Sequence, residues 1–383
     1  MFLFKVHYLT KVVMNKLILI IICFLFTLLI PVCANEVPTF IGKARDLKYE
    51  EINLGGSSQI KQVIEVELLS GENKKQIYVI DNILSGNPYY DINVSIGDTL
   101  VLQPEIDTDV PEYYITDVYR ITVPIILALI FCVLILWVGR KKGFNSLISI
   151  LFTIGLIYWG LRPLILLGIS PLAATLSISL LSTVITMYLV GGFNRKSSAA
   201  IVGTILALFF AGIASLLTIK CAKLTGFADE SMLYLYNTHP ELSFTSITAS
   251  IIILAALGAV MDVAMSIAST INEINETTPM PVKDLYKAGM NVGRDIIGTM
   301  ANTLILVYMG GALPLLLLSS DIDTYKFFNL NSVVTEISSA IIGSIALLIC
   351  VPLTAFVASY FIKFRGEKLR KRVIMEIETK IKR

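Results

Sequence analysis

Seven stretches of about twenty or more residues, each dominated by Leu, Ile, Val and Ala, fill the chain from Ile121 onward. They run Ile121–Val138, Phe144–Leu167, Pro171–Val190, Ala199–Ile219, Phe244–Ile271, Asp295–Leu318 and Val333–Ile362. A helix of about 20 residues crosses the ~30 Å hydrocarbon core of a bilayer. A water-soluble fold would have to expose much of this surface at roughly 25 cal/mol per Å², and lipid removes that cost. The predicted fold class is therefore a polytopic α-helical membrane protein with about seven spans. Composition agrees: 55% of the 383 residues are hydrophobic, 16% are charged, and the mean hydropathy is +0.75. A net charge of +2 gives no reason to expect a nucleic-acid partner. The expected partner is the bilayer, with a second membrane protein or another copy of the chain also open.

Basic residues set the orientation. Arg140, Lys141 and Lys142 follow the first span, Arg195 and Lys196 the third, and Lys283, Lys287 and Arg294 the fifth. Lys363, Arg365, Lys368, Arg370, Lys371 and Arg372 follow the seventh. The opposite connections carry only Arg162, Lys220, Lys223 and Lys326. Positive residues stay cytoplasmic, so an inside carboxyl terminus at the cell membrane is expected, with residues 364–383 as a basic tail against anionic lipid.

The chain ahead of the spans divides in two. Leu17–Ile30 is an apolar run of signal-peptide length behind Lys11 and Lys16, with Val32-Cys33-Ala34 resembling a cleavage site. Residues 1–34 are either a signal peptide, the favoured reading, or an anchoring helix over Val12–Ala34; either one exports the segment from residue 35 onward. From 35 to 119 charge becomes frequent and alternation takes over. In Gln62–Leu68, Ile64, Val66 and Leu68 face one way while Glu65 and Glu67 face the other, the period of a half-buried strand. Gln76–Ile80 and Thr99–Leu102 are further strands, with a turn at Asn73-Lys74-Lys75. A small β-rich extracytoplasmic domain is predicted over 35–119, ahead of a helical domain over 120–363. Tyr89, Tyr90, Tyr113 and Tyr114 offer either a recognition surface or packing in the core or at the membrane interface. Tyr113, Tyr114 and Tyr119 fit the membrane interface, where Tyr is favoured.

Most spans are bland, but the fifth and sixth are not. Gly258, Asp262, Ser266 and Ser269 share one helical face, and Asp295, Gly298 and Asn302 share another. A carboxylate inside a span costs about 2.5–3.5 kcal/mol and normally has a partner or a wet cavity. Arg294, on the next antiparallel helix, is the expected partner of Asp262. Two readings stand together. One is an ion or substrate site of Asp262, Ser266, Arg294, Asp295 and Asn302. The other is close helix packing on Gly258, Gly293 and Gly298, with Asp262 solvated near the interface. Gly310-Gly311-Ala312-Leu313-Pro314 is a candidate helix break or hinge.

These same stretches, Gly258 to Ser269 and Gly293 to Asn302 running on into Tyr308-Met309-Gly310-Gly311-Ala312-Leu313-Pro314, resemble the signature of the YibE/F family of bacterial multi-pass membrane proteins. The likeness is read as extending over the exported domain and all the helices. It implies a bacterial plasma-membrane location and draws attention to Asp262, Arg294, Asp295 and Asn302. It implies no mechanism.

A permease for an unknown ion or small solute is the leading functional expectation: Asp262 holds a cation or proton, Arg294 balances charge, and Asn302 is a neutral ligand. No Gx4GK[ST] motif is present, so that ATPase engine is lacking. A scaffold or sensor whose exported domain binds a partner is the alternative. An intramembrane aspartyl protease needs two carboxylates sharing a proton, and the sequence around Asp262 and Asp295 lacks the Tyr-Asp and Gly-x-Gly-Asp contexts, so an enzyme is not expected. Cys23, Cys33, Cys132, Cys221 and Cys350 lie in or beside apolar runs, and the histidines are His7 and His239. With no CxxC or HExxH, neither a transition-metal site nor a cofactor is expected.

Overall fold

The computed structural model describes residues 38–54, 57–71, 73–104 and 112–381. The amino-terminal apolar segment lies outside them. Two compact units emerge, one of which holds the sheet and the start of the first long helix through Val138, the other the helices from Gly139 onward.

The first unit is a five-stranded antiparallel sheet ordered β3-β2-β1-β4-β5. Its strands are β1 (Phe40–Leu54), β2 (Ser57–Leu68), β3 (Ile77–Leu84), β4 (Thr99–Pro104) and β5 (Tyr113–Val118). The alternation in β2 does what its period requires: Ile64, Val66 and Leu68 are fully buried, against Ala44, Ile80, Leu100 and Leu102. β1, fifteen residues long, was not foreseen. Its register with β2 slips between Ala44 and Asp46, and such a bulge interrupts the two-residue period. Tyr113 is a correction. It packs edge-on against Phe40 at 5.4 Å and Tyr78 at 4.9 Å in the sheet's core, so its place is set by the sheet and not by a lipid interface.

Buried Gln62 pins the sheet to the loop after β3. Its Nε2 donates to Asn93 Oδ1 at 2.9 Å and to the Val94 carbonyl at 3.1 Å, and its Oε1 accepts from Asn82 Nδ2 and the Val94 amide. A buried amide with its donors and acceptors met costs little, whereas an unmet one is expensive.

Helices make up the rest: α1 (Thr122–Gly155), a π turn (Leu156–Leu161), α2 (Arg162–Leu166), α3 (Pro171–Gly191), α4 (Arg195–Cys221), α5 (Glu230–Thr238), α6 (Phe244–Thr277), α7 (Val282–Gly311), α8 (Leu313–Leu318), α9 (Thr324–Phe328) and α10 (Asn331–Ile381). Among the described residues, five helices are long and apolar enough to cross a membrane: Thr122–Leu166, α3, α4, α6 and Asn331–Lys363. The first carries both of the first two expected spans, and the backbone leaves helical geometry inside it at Arg140 (φ 47°, ψ −125°). The π turn falls where Pro163 lacks an N–H and its ring crowds the carbonyl four residues back. The expected sixth span is split: α7 ends at Gly311, Ala312 leaves helical geometry (φ −87°, ψ 7°), and α8 begins with Pro314 in its first turn.

The helical core lies between α4, α6 and α10. α6 contributes Ile252, Ala256, Val260, Val263, Ala264, Ile267, Ala268 and Ile271; α10 contributes Ala346, Leu347, Cys350, Val351, Ala355 and Ala358. Alanine and glycine allow the backbones to approach closely. A Cβ on Gly203 of α4 would collide with Thr354 of α10, and one on Gly293 of α7 with Val351.

Candidate functional site

Polar residues in α1 and α3 are placed by a ladder that joins the two helices. Asn145 Nδ2 donates to the Leu189 carbonyl at 3.0 Å, Ser149 Oγ donates to Thr186 Oγ1 at 2.7 Å, and Thr153 and Ser182 share a 3.0 Å hydroxyl contact. The rungs fall every four residues along α1, the spacing that keeps side chains on one helical face.

Beside the ladder is an open groove of about 230 Å³, built from three helical stripes. Ser146, Ser149 and Ile150 come from α1, Thr186, Met187 and Val190 from α3, and Met261, Asp262 and Met265 from α6. Asp262 faces this groove because α6 spends its opposite side on the core: Val260, Val263, Ala264 and Ile267 are fully buried. Among the described residues the Asp262 carboxylate has no ion-pair or hydrogen-bond partner. Ser146, by contrast, is already bonded through Oγ to the Lys142 carbonyl. The groove lies near one end of its helices, since Thr186 is about one and a half turns from the end of α3 at Gly191.

Arg294 does not meet Asp262. The contacts that set Gly289 against Ile271 and Gly293 against Ile267 carry Asp262 to the level of Gly298, about a turn beyond Arg294. Ile267 points toward α7, and Asp262 is turned away from it by about 140° at 100° per residue. Arg294 instead donates to Asn291 Oδ1 at 3.3 Å on its own helix. Asp295 and Asn302 are exposed on α7 and Ser266 is exposed on α6; none of the three lines the groove. Gly258, Gly298, Gly310 and Gly311 have open space where a Cβ would sit, whereas Gly293 is in close contact. The break at Ala312 places Pro314 at the start of α8.

The groove residues from α1 and α3 were passed over in the sequence, as were Met261 and Met265. Their signal was there: Asn145, Ser149 and Thr153 at four-residue spacing, Ser182 and Thr186 in the next span, and the Met261-x3-Met265 pair.

A larger concavity of about 380 Å³ lies on the sheet unit, lined by Gln59, Ile60, Leu84, Ser85, Gly86, Pro88, Asp91 and Asn93. Its carboxylate is committed to its own loop, with Asp91 accepting from the Ser85 amide at 2.7 Å, the Ser85 hydroxyl at 2.8 Å and the Gly86 amide at 2.7 Å. The groove at Asp262 is the stronger site on chemical grounds.

A family model described as YibE/F-like protein matches residues 127–364. The chain belongs to the YibE/F-like family. In this YibE/F-like chain the match takes in every residue of the groove and both polar stretches around Asp262 and Asn302. It starts within α1, so it is narrower than the likeness read from the sequence, which had included the sheet domain. No curated protein and no solved structure matches the chain.

Proposed function

We propose that this membrane protein is a permease-like transporter of an ion or small solute, and that the groove at Asp262 is where the cargo is held. The observation behind this is a carboxylate without a protein partner, among the described residues, in an apolar helix of spanning length and facing a groove with hydroxyl groups on its far walls. A carboxylate in a span costs about 2.5–3.5 kcal/mol on insertion scales. A wet groove and a cationic cargo offset that cost, and packing alone does not. Ser149 and Thr186 are the neutral oxygens of the site, in the role first expected of Asn302. Asp295, the second carboxylate a paired-carboxylate hydrolase would need, is not among the groove's lining residues, which favours the permease reading.

We further propose seven spans with the carboxyl terminus in the cytoplasm. Thr122–Leu166, at 45 residues, is about 68 Å long as a helix, more than twice the hydrocarbon thickness. Its non-helical Arg140 stands at the head of the basic cluster Arg140-Lys141-Lys142, where a cytoplasmic turn belongs. The sheet domain is then outside the cell membrane, and the groove lies toward the cytoplasmic turn at Arg140 within α1 and the cytoplasmic end of α3 at Gly191.

Reconstitution into vesicles tests the transport reading. Vesicles with the wild-type chain should dissipate an imposed gradient of the transported ion faster than empty vesicles, and Asp262→Asn at equal density should not. Equal rates in all three preparations would end it.

A second reading draws on Tyr89 and Tyr90, which pack edge to face at 4.9 Å and are each 72% exposed. An aromatic pair held outward on the sheet domain suits docking of a partner. Deleting residues 35–119 separates the readings: sensing is lost with transport intact if the domain serves recognition alone.

A further inference from the structure

Three methionines converge where Asp262 faces. Met261 and Met265 stand one turn apart on α6, Met187 approaches from α3, and all three line the groove with the carboxylate. Space for one of them is made by a missing side chain: a Cβ on Gly191 would lie 2.6 Å from Met265 Cε and 3.3 Å from its sulfur. Any residue larger than glycine there would displace both the Ser197 hydroxyl and Met265.

Methionine most often serves as an adaptable filler of irregular gaps. Met187 is buried in the helical core and Met261 and Met265 pack partly against it, yet all three also line the open groove of about 230 Å³ beside an anionic group. A thioether carries no charge and no dissociable proton, and it is a soft, polarizable donor that favours Cu(I) over hard cations; carboxylate and water suit Mg²⁺, Ca²⁺ and Mn²⁺. Three thioethers and one carboxylate match a single positive charge on a soft ion.

We propose that the groove takes a soft monovalent cation of the Cu(I)/Ag(I) class, held by Met187, Met261 and Met265 and balanced by Asp262. This deepens the permease reading and rests on it for the claim that the ion is cargo. It departs from the expectation of no transition-metal site, which weighed cysteine and histidine motifs and not thioethers.

Silver(I) is the probe, because it does not change oxidation state under the conditions that copper does. The full-length chain in detergent, with accessible thiols alkylated, is titrated with Ag(I) against a chromophoric chelator. One Ag(I) per chain is expected. The volume-conserving double variant Met261→Leu/Met265→Leu and, separately, Asp262→Asn should each weaken binding at least tenfold. Met309→Leu, on an exposed position of α7 outside the groove, should leave it unchanged. No binding, or equal affinity in wild type and the double variant, overturns the soft-ion assignment. The two levels separate by flux. Asp262-dependent movement of a hard cation that ignores the methionine substitutions retains the permease and ends this proposal. Groove-dependent silver binding without flux of any cation ends the permease and retains the binding site.

Discussion

The Ser149 hydroxyl donates a 2.7 Å hydrogen bond to Thr186 Oγ1, and both residues line the groove that Asp262 faces. The bond is the middle rung of the ladder joining α1 to α3, so the wall of the groove and the attachment of α1 are one structure. Interhelical hydrogen bonds in membranes average about 0.6 kcal/mol. Removing two rungs with Ser149→Ala and Thr153→Val should therefore lower stability by about 1 kcal/mol, read as earlier thermal unfolding in detergent. A loss of several kcal/mol would mean that the ladder carries more than its hydrogen bonds.

Asp262 and Arg294 should behave as independent residues. In a double-mutant cycle of Asp262→Asn with Arg294→Gln, the effects on unfolding free energy should add within about 0.3–0.5 kcal/mol, as expected for residues that share no contact. A larger coupling energy would restore the ion pair that the helix register denies them.

Glycines should divide by what lies where a Cβ would be. Gly203→Val and Gly293→Val push side chains into Thr354 and Val351, and overpacking of this kind costs about 1–3 kcal/mol. Gly258→Ala and Gly298→Ala meet open space and should be neutral or stabilise by up to about 1 kcal/mol, the helix preference for alanine. Thermal unfolding of the four variants in one detergent checks the ordering.

In the sheet, Gln62→Leu leaves the Asn82 amide and both backbone groups of Val94 without their buried partner. An unsatisfied buried polar group costs about 1–3 kcal/mol. Hydrogen exchange should accelerate at Val94 and along β2 and β3 while the helical unit keeps its protection.

Asp91 gives the sheet unit a response to acid. Desolvation is the largest single influence on its carboxyl pKa and raises it, but hydrogen bonds from the Ser85 amide and hydroxyl and the Gly86 and Asn87 amides together outweigh that and hold it below the ordinary 3.8. Because the folded value is the lower one, the loop's stabilisation is complete above the ordinary value and is lost as pH falls through the folded value. Ser85 and Gly86 amide chemical shifts should stay constant at neutral pH and move only in that acidic window.

The fold was legible in proportion to how local its causes are. Long apolar runs announced the membrane helices, and Ile64, Val66 and Leu68 announced β2, because one-sided burial writes itself into sequence as a period. β1 was hidden, since its bulge at Ala44/Asp46 breaks that period. The candidate site was legible at one residue, Asp262, whose charge is costly in any lipid-facing span. Its neighbours were misassigned because adjacency in the chain stood in for adjacency in space. Arg294 is on the next helix, yet α6 turns Asp262 toward α1 and α3, more than seventy residues earlier in the chain. That rotation is set by which face of α6 the core at Val263 and Ile267 claims, a tertiary fact.

Flux in vesicles that carry either Asp262→Asn or Asn302→Ala, at matched protein density, tests the location of the site most directly. The groove of α1, α3 and α6 predicts that Asp262→Asn loses at least tenfold in rate while Asn302→Ala, altered on an exposed face of α7, stays within twofold of wild type. Loss of flux in Asn302→Ala with Asp262→Asn still active would contradict it.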